Sequence, residues 1–497
     1  MADFISGILA TEEGTKRAAI LKQTHPLHAR YSNLWNVGLD AYDGSGGFLD
    51  GAYLWQFPRE ESDDYQKRKA MARYHNYAEA LVDIYVRHVT NSVERSTTDD
   101  ALMDWWTDVD GRGQSIDNYT QAVLGPALAA GHAGTLIDKS PDDPTGPSRA
   151  DDPNRPYLVT VQSPAILDWR TDRRGLAAIK LAMEPTPVSL AYTPTPEQYD
   201  YLLWDHDTFA RFNHKGVLIG GGEPGLGIVP FEVCRPKPSR RHPFIGKALI
   251  TPSVVQALYN RASEQDVVLR DQAFSLFLVS VPADTPQETI DFVQGQLNKG
   301  AGTKTAQIVV GTADYKTADM QVPAVLQDNQ SFLVAEMYRM AHLRFDRGSL
   351  QAQSGEALRI QRQELEQTLV SMAATMREYE LALVERYYDW TAPDGAVALE
   401  RAKVEIVYPT DFQMRNLEDE LAGFTQAAAM GLGQTAGANI KERVVSLILP
   451  DLDPKTLEIV KGEIGALSTA SPALDRRAQA ESRLREAGVA VVDEAAV

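Results

Sequence analysis

An α+β fold, mainly helical, is predicted for this 497-residue chain by three features of its sequence. A very long amphipathic stretch follows Ser354, shorter helical patterns stand on either side of it, and a run of short β-like segments lies between residues 156 and 220. Apolar side chains at Leu358, Leu365, Leu369, Met372, Met376, Tyr379, Leu383 and Tyr387 are spaced by three and four after one gap of seven, which draws a narrow seam along a helix. Ser354 can cap its start and no proline intervenes before Pro393, so one helix of about 35 residues, on the order of 50 Å, is allowed. Read alone, such a seam fits a core helix or a coiled coil.

Composition bounds the function. Lys and Arg number 49 against 68 Asp and Glu, a formal net charge of -19, which disfavours a sequence-reading DNA binder with a basic surface. The single Cys234 excludes an intrachain disulfide framework or a thiolate zinc site, and is expected to be buried in a reducing compartment. The first residues carry neither a basic leader nor a long apolar stretch, so no secretion signal is expected. No segment reaches the roughly 20 apolar residues that span a bilayer, and no membrane partner is expected.

In chain order, residues 15–31 read as helix, followed by a Gly-rich loop. Residues 62–93 read as a second helix with Tyr74, Tyr77, Leu81, Ile84, Tyr85 and His88 near one face. His75 and His88 lack a partner at i+4 spacing and read as satisfied or solvated histidines rather than metal ligands. A polar segment holding Trp105 and Trp106 precedes a helix that passes through the Gly131–Gly134 corner into a strand at 134–138. Residues 141–156 hold five prolines among acidic and small residues, a surface loop. The β-like runs then suggest a mainly antiparallel sheet. Glycines 220–227 resemble a phosphate loop only superficially, because no Lys-Ser/Thr follows and the flanks are both strands. Arg235, Lys237, Arg240 and Arg241 form a basic knot in a Pro-rich linker, where solvation accounts for them.

A helix opens after Pro252, with Val255, Leu258, Ala262, Leu269, Ala273 and Leu276 toward its buried side, and ends before Pro282. Thr285, Pro286 and Glu288 make a capping box for a short helix with Ile290, Val293 and Leu297 on one face. A loop and strand follow in 300–312 and a weaker strand near 315–322. This module of about 45 residues is too small for a core of its own and is expected to pack on copies of itself. Asp328 starts a helix that aligns Leu333, Met337, Met340 and Ala341. Beyond the long helix, 402–409 reads as a strand, the next segments as helices, and the part after Ser468 as a weakly helical tail. No metalloprotease, nucleophile-elbow, Walker or paired-aspartate metal motif is present, so no catalytic, cofactor or metal residue is assigned.

Several segments, in this order, resemble the portal proteins of tailed double-stranded DNA bacteriophages over residues 73–466. They are HNYAEALVDIYVRHVTNSV, NYTQAVLGPALAAGHAGTLID, SPAILDWR, IVPFEVCRPKPSRRHPFIGKALI, SVVQALYNRASEQDVVLRDQAF, SGEALRIQRQELE and VEIVYPTDFQMRNLEDELAGFTQAAAMGLG. Where that family often has Ile-Ser after its Gly turn, Gly431-Leu432-Gly433-Gln434 stands here. The segment after Ser468 matches nothing in the family.

The resemblance implies a portal fold with wing, stem, clip and crown regions. It places an N-terminal wing region at 1–250, stem helices at 251–282 and 328–343, and a clip at 283–327. A tunnel loop follows at 344–353, a long wing helix and strand at 354–416, wing or crown helices at 417–467 and a flexible tail at 468–497. It implies a homo-oligomeric ring, most often a dodecamer, at one capsid vertex of a virion assembled in the host cytoplasm. Double-stranded viral DNA would be packaged and ejected through it. The partners implied are the terminase large subunit, the major capsid and scaffolding proteins, and the head completion or adaptor proteins. The tunnel loop would present Arg344, Phe345, Asp346, Arg347, Gly348, Ser349, Leu350, Gln351 and Gln353 to DNA, and Thr285, Glu288, Lys299 and Lys304 of the clip would face the motor. Arg344 and Arg347 either touch phosphates or pair with a neighbouring subunit's carboxylates. The competing expectations are a phage adaptor or scaffold without an axial hole, and a metal-dependent nuclease.

Overall fold

The structure, a computed structural model, describes residues 4–11, 13–139, 155–173, 175–184, 198–273, 277–282, 284–300, 306–310, 321–343, 355–392, 395–410 and 412. For 271–273, 277–281, 294, 296–300, 306–310, 321–323 and 355–362 it describes backbone alone. The chain divides into two compact units, Met1–Phe412 and Gln413–Val497, and every described residue lies in the first. The helices and tail expected after residue 416 therefore lie outside the described residues, as do most of the Pro-rich loop, residues 315–320 of the weaker strand, and the loop before the long helix.

A short helix α1 (Phe4–Leu9), not expected from sequence, precedes the first helical pattern, which is broken into α2 (Gly14–Leu21) and α3 (Pro26–Asp43). Pro26 sits at the N-terminal edge of α3, where its missing N–H costs nothing, and so ends the continuous helix expected over 15–31. At the other end α3 runs twelve residues past Tyr31, until Gly44 closes it at φ 63. The second pattern also divides, into α4 (Ser62–Met71) and α5 (Tyr77–Thr90), because Asn76 caps the Glu79 amide and resets the chain. Tyr74 thus lies in the break rather than on the helix face, while Leu81 and Tyr85 are fully buried.

The strand β1 (Glu94–Ser96) leads to α6 (Asp100–Thr107), a helix in the segment read as merely polar. Trp105 is 1% exposed there and donates from its indole to the Pro156 carbonyl at 2.8 Å. α7 (Ile116–Ala130) then passes into β2 (Ala133–Asp138) as expected. The corner is tight: Gly131 has φ 101, and a Cβ on Gly246 would lie 1.9 Å from the Gly131 carbonyl oxygen. The two backbones touch because neither residue has a side chain.

The expected antiparallel strands form two sheets. β3 (Tyr157–Gln162) and β9 (Phe231–Cys234) flank β2, while β4 (Ile166–Asp172), β5 (Gly175–Met183), β6 (Asp200–Asp205), β7 (Phe209–Phe212) and β8 (Leu218–Gly222) follow one another in order. Glycines 220–222 belong to the edge strand β8, so the Gly-rich run is strand and turn. Cys234 is fully buried with its sulfur 3.5 Å from that of Met376, and burial raises its thiol well above the usual range.

α8 (Pro252–Ala273) is shorter than expected, because 277–281 forms the strand β10 (Phe277–Val281) instead of a last helical turn. An apolar run of that length suits either element, and pairing decides. β10 pairs parallel with β11 (Ala306–Val310) across α9 (Gln287–Gly300). Pro286 precedes α9 rather than opening it. α10 (Gln321–Met340) begins seven residues before Asp328 and takes in Gln321 and Val322 of the weaker strand expected near 315–322. Pro323 is tolerated there because it falls in the first turn.

The long helix α11 (Gly355–Thr391) has 37 residues, and Leu369, Met372, Met376, Tyr379, Leu383 and Tyr387 are all buried as its seam requires. Its buried face is wider than that seam, since Ala373, Glu380, Val384 and Tyr388 are buried too. α12 (Gly395–Ala402) intervenes before β12 (Glu405–Val407), which pairs antiparallel with β1. The main core gathers α5, α6, α7, one end each of α8 and α10, and the C-terminal half of α11. A second core lies against the five-stranded sheet, around Trp169, Ile179, Trp204 and Phe244.

Candidate functional site

The helical pair α8 and α10 runs antiparallel. Thr251 at the start of α8 places its hydroxyl 3.6 Å from the Met340 sulfur at the end of α10. Ten residues along, the Gln330 amide donates to the Arg261 carbonyl at 3.2 Å and to the Gln265 side chain at 2.5 Å. At 1.5 Å per residue each helix is about 30 Å long. Among the described side chains the pair is cored at one end, where Val255, Leu258, Tyr259, Val334, Met337 and Ala341 join the main cluster. Asn260, 1% exposed, fixes that end by donating to the Tyr53 and Gln256 carbonyls and accepting from the Trp55 amide at 2.8 Å.

At the other end the pair meets the βαβ unit of β10, α9 and β11. Two parallel strands of five residues are a marginal sheet, and parallel strands are ordinarily covered on both faces. Large apolar side chains nonetheless face solvent here and along the pair: Leu269 is 46% exposed, Phe292 66%, Val325 65% and Phe332 59%. Leu269 was expected on the buried side. Its exposure follows from its place beyond the cored end of α8. Several charged residues of the pair neutralise one another locally, through Arg261 with Glu264 and Arg339 with Glu336, each at 2.6 Å.

The segment expected to touch DNA, 344–353, lies outside the described residues; the helices before and after it, α10 and α11, are each anchored to the main core. At the first, the fully buried Tyr85 hydroxyl donates to the Ala341 carbonyl, and the Leu343 amide returns to the Tyr338 carbonyl at 2.8 Å. His342 takes φ 50 in that reversal. At the second, α11 is held by its inner face. Glu380 accepts from Arg95 of β1 and, at 2.7 Å, from the Tyr408 hydroxyl. Burial works against the Arg95 charge, yet the Glu380 carboxylate and then Asp117 hold its guanidinium above the usual range. Arg386 bonds Glu232 of β9 at 2.8 Å and Asp389 at 2.5 Å. Burial raises the Glu232 carboxyl above its usual range against the pull of Arg386.

Of the site residues expected from sequence, Arg344, Phe345, Asp346, Arg347, Gly348, Ser349, Leu350, Gln351, Gln353 and Lys304 lie outside the described residues. Lys299 is on α9, where only its backbone is described. Thr285 and the exposed Glu288 come together at the start of that helix. Sequence reasoning missed Arg95, Glu380 and Tyr408, which no local pattern connects. Tyr85 was visible as a member of a helical face, without its anchoring role, and Asn260 was not singled out. Among the described residues no group of three or more His, Cys, Asp or Glu could hold a metal ion. No helix among them is long and apolar enough to cross a membrane.

No protein-family model matches the sequence, and no curated protein matches it. Among solved structures the chain is similar to one in the virion of a native gene transfer agent particle, at 12% identity over 71% of this chain and 86% of that one, with a TM-score of 0.37. A chain in the neck of the empty particle, computed with C6 symmetry, gives 12% identity over the same shares and a TM-score of 0.36. One in the neck of the native particle, computed with C12 symmetry, gives 11% identity over 78% and 89%, with a TM-score of 0.33. Overlaps this loose carry nothing about what the chain does.

Proposed function

We propose that the chain is a ring-forming structural subunit of a tailed-phage-like particle, with no catalytic chemistry of its own. The observation that carries this reading is the pair α8 and α10, cored at one end among the described side chains and ending in a parallel βαβ unit of two described strands, with Phe292 of that unit and Val325 and Phe332 of α10 in solvent. Covering such a side chain stabilises by about 1.5–3 kcal/mol, and neighbouring copies in a closed ring supply that cover.

Within that class, the particular role is that of the portal protein at one capsid vertex, through which double-stranded viral DNA is packaged and later ejected. In this reading α8 and α10 form the stem and β10, α9 and β11 the clip, with Thr285, Glu288, Lys299 and Lys304 toward the terminase large subunit and then the head completion proteins. The loop 344–353 turns toward the bore, and capsid and scaffolding proteins meet the outer regions. A net charge of -19 per copy repels a polyanion, so DNA slides past a narrow ring of Arg344 and Arg347 without sticking. The same stem would serve an adaptor or scaffold that lacks an axial hole. Negative-stain images and mass photometry of the purified chain separate the two: hollow rings, most simply of twelve copies, are expected, and a stable monomer refutes the portal reading.

A further inference from the structure

We propose that the cleft where α3 meets the foot of α8 is a docking site for an acidic peptide segment of a partner protein, carrying one large apolar anchor. This needs a single copy of the chain and stands independently of the ring reading. The cleft has a volume of about 520 Å³. Its floor is apolar, made by Trp35 and Ile245, each 4% exposed, with Pro252 beside them and Leu34, 41% exposed, at the mouth. Its rim carries the exposed Arg241 and Lys247 together with His242.

The charge around it is segregated. Between residues 233 and 263 the sequence holds Arg235, Lys237, Arg240, Arg241, Lys247 and Arg261 and no Asp or Glu, in a chain of net charge -19. The α3 stretch that forms the opposite wall, 26–38, holds Arg30 and no acid either. Among the described residues neither Arg241 nor Lys247 forms an ion pair, whereas Arg261 is satisfied by Glu264. Two unpaired cations thus crown an apolar floor. Burial first, and then the nearby Lys247, push the Lys237 ammonium below its usual range.

Shape chooses among anions. A duplex presents phosphates on a convex rail and leaves an apolar cleft unfilled, and Trp35 lies too deep to stack on a base. A peptide side chain fits: an aromatic or long aliphatic anchor takes the floor, and flanking carboxylates take Arg241 and Lys247. Charged rim pairs set the encounter rate and specificity, while the desolvated anchor supplies most of the affinity.

The test is fluorescence anisotropy of a dye-labelled, C-amidated heptapeptide, one phenylalanine flanked on each side by three glutamates, titrated with the full chain. Saturable binding is expected that weakens as salt rises. It should fall at least about tenfold with Arg241→Glu plus Lys247→Glu, with Leu34→Asp, and when alanine replaces the phenylalanine of the peptide. These chain positions are exposed, so the variants fold, and thermal melts check that they do. Three results overturn the proposal: binding that none of these changes moves, displacement of the peptide by a duplex oligonucleotide of equal charge, or no binding at all while the Arg241 and Lys247 variant alters assembly mass. The last would make this face a contact between copies.

Discussion

Glu380→Ala removes the carboxylate through which α11 holds β1 and the segment after β12. Glu380 is 0% exposed and accepts two hydrogen bonds from Arg95, the Nη2 one at 3.1 Å, and one from Tyr408 at 2.7 Å. Without it, Arg95, whose side chain is 7% exposed, keeps only the outer Asp117 at 2.6 Å. Stripping one member from a buried ion pair costs about 3–5 kcal/mol, and an orphaned buried hydroxyl costs about 1–3 kcal/mol. The two losses share one carboxylate and overlap, so the expected total is about 3–5 kcal/mol. Urea unfolding followed by tryptophan fluorescence measures it. Hydrogen exchange should accelerate first at 405–408, since a two-stranded pair of three residues has little else to hold it. The double variant Arg95→Met with Glu380→Met leaves no buried charge and should recover at least about 2 kcal/mol relative to Glu380→Ala. A loss under about 1 kcal/mol for Glu380→Ala, or a double variant no better than the single one, refutes the clamp.

Burial, then Arg235 and His28, push His132 down to about 3, and its ring lies edge-on to Trp35 at 4.8 Å. The folded state therefore refuses a proton that the unfolded chain takes near pH 6.5, so stability is complete above that pH and falls toward pH 3 by up to about 1.4 kcal/mol per unit. Burial lowers His25 and His28 in the same sense, so the contribution of His132 is the difference from His132→Phe, whose slope between pH 6.5 and 5 should be flatter; equal slopes refute the assignment. Gly246→Ala drives a Cβ to 1.9 Å from the Gly131 oxygen and should cost at least about 2 kcal/mol in a denaturation curve; a neutral result would mean that the corner relaxes freely. Phe292→Asp and Phe332→Asp, on exposed positions, should leave the melting temperature of dissociated chains within about 2 °C while shifting mass photometry toward small species. Reversing both Arg344 and Arg347 should lower DNA packaged per capsid, and unchanged packaging removes their proposed role.

Local periodicity carried much of the fold. The three-and-four spacing of Met372, Met376, Tyr379, Leu383 and Tyr387 marked α11 because one face of a long helix must be apolar, and short β-like runs between turn residues marked the antiparallel strands. Interruptions were harder. Pro26 and Asn76 each open a new helix, but apolar spacing continues across both breaks and hides them. The run at 277–281 suited helix and strand alike, and only its distant partner at 306–310 settled it. Arg95, Glu380 and Tyr408 meet through a register between β1 and β12 that no local sequence signal records. The cleft was half legible: the basic knot stood out, while the Trp35 half of its apolar floor came from α3, some two hundred residues away.

The sealed thiol has a practical consequence. Cys234 has no exposed surface and is held as the protonated thiol, so maleimide or iodoacetamide should pass it by in the native chain. A cysteine introduced on the surface becomes the sole reactive handle in an otherwise wild-type background. Single dyes can then be placed without first mutating anything. Paired handles on opposite flanks of one chain would let oxidative cross-linking count copies as a ladder on a denaturing gel.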